Sequence, residues 1–504
     1  MTEAPSPPAG EAKLDAAILK IAGVIVLGAI MSVLDITVVS VALPTFQAEF
    51  DASYADVAWS MTGYTLALAT IIPLTGWAAD RFGTKRLYLL ALVLFVLGSV
   101  LCSLAWDITS LITFRVLQGL GGGMLMPLGM TIMTRAAGPE RIGRVMAVLG
   151  IPMLLGPIGG PILGGWMIES LSWHWIFLIN LPVGVIAIFV AWRILPTDSP
   201  TPSESFDFVG MLLMSPGLAL FLYGVSSIPE EGTVAAAKVL VPAGIGAVLI
   251  AAFVRHAFKP EHPLIDLRLF KNKQLTIAVL TMSLFAIAVM GAMLLIPSYF
   301  LQVRGESTLQ AGLLVAPQGL GAMLTMPIAG KLVDKTSPGR IVLSGLVLVL
   351  AGMAALTQVG AQTSYFFVLG ALFVMGMGMG SAMMPTMTAA LQTLRDHMIA
   401  RGSTMMNIIQ QVSASIGTAV MSVVLTNQTT DIAQAAVAAQ QDPQFAEQLP
   451  PGLVEQGLDD LASGFGTTFT VAAVLLLLAF VPALLFPRGK KVGEGDAVGA
   501  MPMH

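Results

Sequence analysis

The chain has 504 residues, of which 56% are hydrophobic and 11% charged, with a formal net charge of −4. Soluble domains carry about 25% charged residues, so a water-surrounded core cannot hide this much apolar surface and lipid must solvate much of the chain. The small net charge excludes the basic footprint of a nucleic-acid partner, and the single cysteine, Cys102, excludes an intrachain disulfide.

The first 20 residues are polar and proline-rich and read as a tail. The apolar run Ile21 to Leu43 exceeds the roughly 7–15 residues of a signal-peptide core and carries Asp35, so it reads as a first span. A hydrocarbon core about 30 Å thick needs roughly 20 apolar residues in a helix. Segments of that kind follow at 57–79, 87–105, 108–133, 144–168 and 174–195, then at 207–227 and 237–255. Six more lie at 275–300, 310–330, 341–358, 364–390, 402–426 and 465–486. The longest connection, Asn427 to Gly464, has no Lys or Arg, and its Ala/Gln-rich stretch Asp431 to Gln441 reads as a short surface helix. His174, His256, His262, His397 and His504 are scattered, and no Cys/His cluster has metal-ligand spacing, so neither a metal nor a cofactor is expected.

Short loops rich in Lys and Arg stay on the cytoplasmic side. With the N-terminus inside, all but three of the 25 basic residues fall in inside segments; the exceptions are Lys238, Arg304 and Arg115, the last within a span. Both termini are therefore expected in the cytoplasm.

The chain also repeats itself. Gly76-Trp-Ala-Ala-Asp80-Arg81-Phe-Gly83-Thr-Lys85-Arg86 follows span two, and Gly330-Lys-Leu-Val-Asp334-Lys335-Thr-Ser-Pro-Gly-Arg340 follows span ten. At an offset of 254 residues Gly76 meets Gly330, Asp80 meets Asp334 and Arg86 meets Arg340; Pro127 answers Pro385 near the ends of spans four and twelve. The expected fold is an all-α polytopic membrane protein of fourteen spans. A six-helix bundle (21–195) and a second (275–486, with outer loop 427–464) flank two inserted helices (196–274), with cytoplasmic tails at 1–20 and 487–504. Parallel repeats of this sort mark secondary transporters, with substrate near midplane between the halves.

At these residues the chain resembles the fourteen-span drug:proton antiporters of the major facilitator superfamily, the EmrB/QacA-like group. Leu34-Asp35-Ile-Thr37-Val-Val-Ser40-Val-Ala42-Leu43-Pro44 resembles the first-span signature, with Ser40 where Asn is usual. Gly76 to Arg86 resembles the superfamily loop motif, and Arg115-Val-Leu-Gln118-Gly119-Leu-Gly121-Gly122 the fourth-span motif. Gly150 to Gly165, with Gly156-Pro157-Ile-Gly159-Gly160 and Gly164, resembles the fifth-span antiporter motif that symporters of the superfamily generally lack. Trp173-His174-Trp175-Ile-Phe-Leu-Ile-Asn180-Leu-Pro182 resembles a further signature, with His174 where Arg is usual. The resemblance implies the major facilitator fold, a bacterial inner-membrane location and proton-driven multidrug efflux without a cofactor. It implies a monomer and leaves a periplasmic adaptor open as a partner.

The residues carry their own chemistry. A carboxylate at membrane depth is expensive to keep charged, and such a group can load and release a proton as access alternates. By helix rise, Asp35 lies roughly 13 Å and Arg115 roughly 10 Å below the outer ends of their spans. We therefore expect the two to couple; a static ion pair pinning two helices is the plainer alternative. Asp80, Arg81 and Arg86, with Gly76 and Gly83, form the candidate conformational gate on the inside. Gly156, Gly160 and Gly164 share one helix face for close helix approach, and Pro152, Pro157 and Pro161 bend that span; a hinge between the halves and a purely packing role are the two readings of this face. Met31, Trp59, Tyr64, Gln118, Gln302, Asn407, Gln410 and Gln411 are candidates for the substrate cavity.

Beyond Asp35 no carboxylate lies well inside any span, which favours neutral or singly charged lipophilic substrates. An ATP-driven pump is disfavoured because no GxxxxGK[ST] occurs. A symporter or a dedicated exporter of one metabolite or lipid on the same fold is the alternative. A receptor or intramembrane enzyme lacks a polar set at depth beyond Asp35 and Arg115.

Overall fold

The computed structural model describes residues 15–138, 141–197, 205–231, 233–394, 398–441 and 443–486. These are helical almost throughout. In chain order the first part comprises α1 (Ala16–Phe50), α2 (Tyr54–Phe82), α3 (Thr84–Ser103), α4 (Ile108–Ala137), α5 (Ile142–Leu149), α6 (Ile151–Ser170), α7 (Trp175–Leu178) and α8 (Asn180–Ile194). Then come α9 (Phe208–Ser226), α10 (Ile228–Glu231) and α11 (Ala237–His256). The remainder is α12 (Lys273–Gln302), α13 (Thr308–Lys335), α14 (Pro338–Leu356), α15 (Tyr365–Leu391), α16 (Ile399–Gln428), α17 (Asp431–Gln441), α18 (Pro443–Gln448) and α19 (Leu453–Leu484).

Thirteen helices among the described residues are long and apolar enough to cross a membrane. The span expected at 144–168 is instead two helices, α5 and α6, parted at Gly150. Pro152 lies in the first turn of α6, where a missing N–H costs nothing and the preceding turn cannot continue. Several helices outrun the apolar windows that mark them. α1 has 35 residues, about 52 Å at 1.5 Å per residue, and already begins inside the segment read as a tail. Apolarity reports the lipid-crossing stretch, whereas helix ends are set by caps: Asp107 and Ser110 form a capping box at α4, and Ser307 and Gln310 another at α13. The largest difference is in the segment read as an outer loop, 427–464. It contains α17, over the bounds the sequence suggested, then α18 and the first turns of α19, with α17 packed on α19.

The internal repeat is a repeat of packing. In the first half α1 packs on α6, α2 and α3 on α4, and α3 on α8; in the second α12 packs on α16, α13 and α14 on α15, and α14 on α19. Glycines register these contacts. A Cβ on Gly119 would meet Tyr64 O at 2.5 Å and one on Gly123 would meet Leu68 O at 2.6 Å; Gly376 meets Gln318 O and Gly380 meets Ala322 O in the same way. Gly121 lies against Ala91 O and Phe95 N, as Gly378 lies against Gly345 O and Val349 N. The offset is therefore 254 for α2/α13 and α3/α14 but 257 for α4/α15. Pro127 consequently answers Met384, and Pro385 falls one residue later. Without a hydrophobic driving force between helices in lipid, such close approach supplies much of the packing energy. Gly376→Val should cost about 1–3 kcal/mol through overpacking, read as a lower melting temperature in detergent. Gly370→Ala on the same helix, with nothing within 4 Å of its Cβ position, should leave melting unchanged.

α9 and α11 pair tightly, Gly224 nesting on Val239 O and Ala243 N. The pair lies over the seam where α2 meets α16: α9 contacts both, Ser215 donates to Thr70 O at 2.8 Å, and Tyr223 stacks on Trp59. The end of the bundle carrying the α2–α3, α4–α5 and α13–α14 connections, with Arg81, Arg86, Arg141 and Arg340, is its basic face.

Candidate functional site

The deepest polar cluster is built from α1, α2 and α4. Arg115 and Asp35 form an ion pair with both side chains fully buried. Gln118, one turn from Arg115, accepts from Arg115 Nη1 at 2.7 Å and donates from Nε2 to Asp35 Oδ1 at 2.7 Å. Arg115 Nε donates to Ser60 O at 3.1 Å, and the guanidinium lies 4.2 Å from the centroid of the Tyr64 ring. The Tyr64 hydroxyl shares a 3.2 Å hydrogen bond with Ser32. The glycines after Gln118 explain how α4 delivers these groups. Gly119 and Gly122 admit Tyr64, and Gly121 admits α3, so α4 sinks between α2 and α3. Buried charges persist only when paired and hydrogen-bonded, and here each partner has a second polar contact. Arg115 Nη2 alone has no hydrogen-bond partner.

The second half has nothing comparable at the matching positions. The packing offsets place Leu372 opposite Arg115, Met375 opposite Gln118, Met353 opposite Ser99 and Gln318 opposite Tyr64. The 254 offset carried to α12 sets buried Val289 against Asp35.

At the basic face Asp80 of α2 pairs with Arg135 of α4 at 3.4 Å and with Arg401 of α16 at 3.6 Å. Gly76, one turn earlier, faces Thr404 and Arg401 on α16. The matching Gly330 of α13 lies on Gly143 O, 2.7 Å from its Cβ position. Met326 and Met384 cover Gly150, and Asn407 Nδ2 reaches Met130 Sδ at 3.2 Å. These contacts join the two halves and cluster toward the basic face. Arg81 and Arg86 are exposed, Lys85 caps α8 by donating to Leu195 O at 2.7 Å, and Gly83 turns α2 into α3 at φ 88°. The side chains of Asp334 and Lys335 lie outside the described residues, as does Arg395.

The glycine face of α6 turns inward, not toward the other half. Gly156 and Gly160 lie against Val33 and Thr37 of α1, Gly159 against Leu34 and Gly164 against Val38. Thr37 Oγ1 donates to Gly156 O at 3.0 Å. The glycine face expected at a hinge between the halves is thus an α1–α6 seam within the first half; α6 also packs on α13 of the second half, and Gly150 meets Met326 and Met384 there. Pro157 lies in the body of α6; its side chain is outside the described set.

The eight cavity candidates are not brought together. Met31, Tyr64 and Gln118 are buried within the first half, the last two in the Asp35–Arg115 network. Trp59 stacks on Tyr223, and Gln302 is exposed at the end of α12 away from the basic face. Asn407, Gln410 and Gln411 are half-buried on α16. Residue reading missed Ser99, Asn180, Arg135 and Arg401 as partners; only Asn180 stood in a quoted motif. It also missed Asp207, which caps α9 and takes His256 at 2.7 Å.

Two like halves of membrane-length helices, the first of them enclosing a buried ion pair, define a multi-pass membrane protein of the transporter class. Residues 25–418 match the model of the Major Facilitator Superfamily, and the chain belongs to that family. It is 50% identical over 495 residues to a multidrug resistance protein B homolog of Mycobacterium tuberculosis, covering 94% of this chain and 91% of that protein. It is 32% identical to the multidrug export protein EmrB of Haemophilus influenzae, covering 78% of this chain and 77% of that one. The fold is similar to that of the human organic anion transporter MFSD10, with a TM-score of 0.58 at 15% identity over 94% of this chain and all of that one.

Proposed function

We propose that the chain is a proton-coupled antiporter that exports small, mostly lipophilic compounds by alternating access, a multidrug efflux transporter. The observation that carries it is the Asp35–Arg115 pair: one titratable carboxylate, fully buried, held by a cation and an amide, with only apolar residues opposite Asp35 and Arg115 in the second half. The multidrug names of the relatives at 50% and 32% identity support the substrate class. On this reading the basic face is cytoplasmic, both termini lie inside a bacterial inner membrane, and six-helix bundles flank the inserted pair. The contacts through Asp80, Gly76, Gly330 and Gly150 then close the cytoplasmic side, an outward-facing state. The transporter works as a monomer on the proton gradient, without a cofactor and without chemistry on its substrate. Exchanging one proton for a neutral molecule gains about 2.3 kcal/mol per 100 mV, enough to sustain a concentration ratio of a few tens-fold.

Vesicles carrying an inside-acid gradient provide the test. Adding a dye or antibiotic from a lipophilic panel should dissipate the gradient as the compound accumulates, and an uncoupler should abolish both. Proton and compound moving in the same direction would establish a symporter instead.

A further inference from the structure

Hydroxyls within the helices of this bundle generally turn back onto their own helix. Thr131 Oγ1 donates to Pro127 O at 2.8 Å, Thr281 Oγ1 to Ile277 O at 2.8 Å and Thr386 Oγ1 to Ala382 O at 2.7 Å. Such a hydroxyl stays satisfied whatever its helix packs against. Among the described residues four buried hydroxyls break this pattern and have no hydrogen-bond partner: Thr134, Thr388, Ser403 and Thr404. All four lie toward the basic face, near the ends of α4 and α15 and the start of α16.

Their register ties them to the contact between the halves. Asn407 of α16 meets Met130 of α4, and one turn nearer the basic face on these helices stand Ser403 and Thr134. Met384 of α15 covers Gly150, and Thr388 follows it by one turn on the same helix face. Thr404 Oγ1 lies 3.1 Å from the Cβ position of Gly76 in the first half. A buried hydroxyl without a partner costs the bonds to water that it gave up. The penalty falls only on a state that encloses the oxygen, and it lifts in a state that wets it.

We propose that these four hydroxyls are a counterweight to closure at the basic face, enclosed and unpaired when the halves meet there and bonded to water when they part. The inference rests on the alternating-access reading above. Two sets of interactions then oppose each other in one place. The Asp80–Arg401 pair and the packing of Gly330 on Gly143 favour the closed face, and the four hydroxyls favour the open one. A transporter has to populate both states, and a closing contact with nothing against it would hold only one of them. The hydroxyls set this balance from outside the Asp35–Arg115 network.

The test removes hydroxyls while keeping side-chain shape. The full chain in nanodiscs carries spin labels on α5 and α13 near the basic face, which report the ratio of closed to open molecules. Thr134→Val combined with Ser403→Ala, and separately Thr388→Val, should raise that ratio by about fivefold or more for each hydroxyl removed. Their melting temperatures in detergent should rise as well, because the unfolded chain never carried the penalty. Thr131→Val removes a hydroxyl that is bonded within its own helix, and it should raise neither reading. An unchanged or lowered ratio in either hydroxyl-deleted variant would overturn the proposal. So would an equal rise in Thr131→Val, the mark of a general packing gain. A wild type whose labels never report an open face would end the alternating-access reading instead. The penalty is then read from melting alone, and unchanged melting temperatures would overturn it too.

Discussion

Replacing Asp35 by Asn should abolish proton-driven efflux, by about 100-fold or more, and should also destabilise the protein. Both effects follow from the same geometry. Arg115 is completely buried, and Asp35 is its counter-charge. Removing one member of a buried pair leaves an uncompensated charge and costs about 3–5 kcal/mol. Arg115→Gln should therefore be damaging too. The double variant Asp35→Asn/Arg115→Gln, with no buried charge left, should recover most of the melting temperature of the single variants. It should not recover transport, because no carboxylate remains in the network. The pair's coupling energy then appears as the non-additivity of the three melting shifts. Full proton-driven efflux in Asp35→Asn would end the assignment, whatever its stability.

The second large effect is expected at Gly330. Its Cβ position lies 2.7 Å from Gly143 O and 3.0 Å from the Ala147 methyl, closer than side-chain carbons normally come to a carbonyl. Because this contact joins the two halves, Gly330→Leu should penalise only the state in which they meet at the basic face. Overpacking costs about 1–3 kcal/mol, which converts to a shift of roughly fivefold to 150-fold in the ratio of the two states. Spin labels on α5 and α13 near that face should report a longer distance, and efflux should fall about tenfold with the protein still folded. An unchanged distance with wild-type efflux would show that the contact does not hold the face shut. Asp80 spans the same contact, since its carboxylate pairs with Arg135 in its own half and with Arg401 in the other.

Asp35 and Arg115 were legible because a charge within an apolar run is a local anomaly. So was the loop motif around Asp80. The identity of Asp80's far partner was not, because Arg401 lies more than 300 residues away and no spacing rule links the two. Gln118 could be placed one turn from Arg115, but its bond to Asp35 depends on how deeply α4 sinks against α2 and α3. That depth comes from Gly119, Gly121 and Gly122, whose packing partners are backbone atoms. The fifth span shows the same limit. The spacing of Gly156, Gly160 and Gly164 gave one smooth face, and only the folded chain shows it lying on Val33, Thr37 and Val38 of α1.

By itself, then, the sequence determined a lipid-solvated bundle of helices, its internal repeat, and the two charges buried in its first half. Those follow from apolar length and from the cost of charge away from water, which are properties of single segments. Tertiary structure decided which face of each helix meets which neighbour: the α1–α6 seam, the Asp80–Arg401 ion pair between the halves, and the partners buried around Asp35. Helices that are apolar nearly all round carry no stripe to indicate their rotation. In lipid that choice falls to close packing of small residues and to a few hydrogen bonds, and these exist only once the helices are assembled.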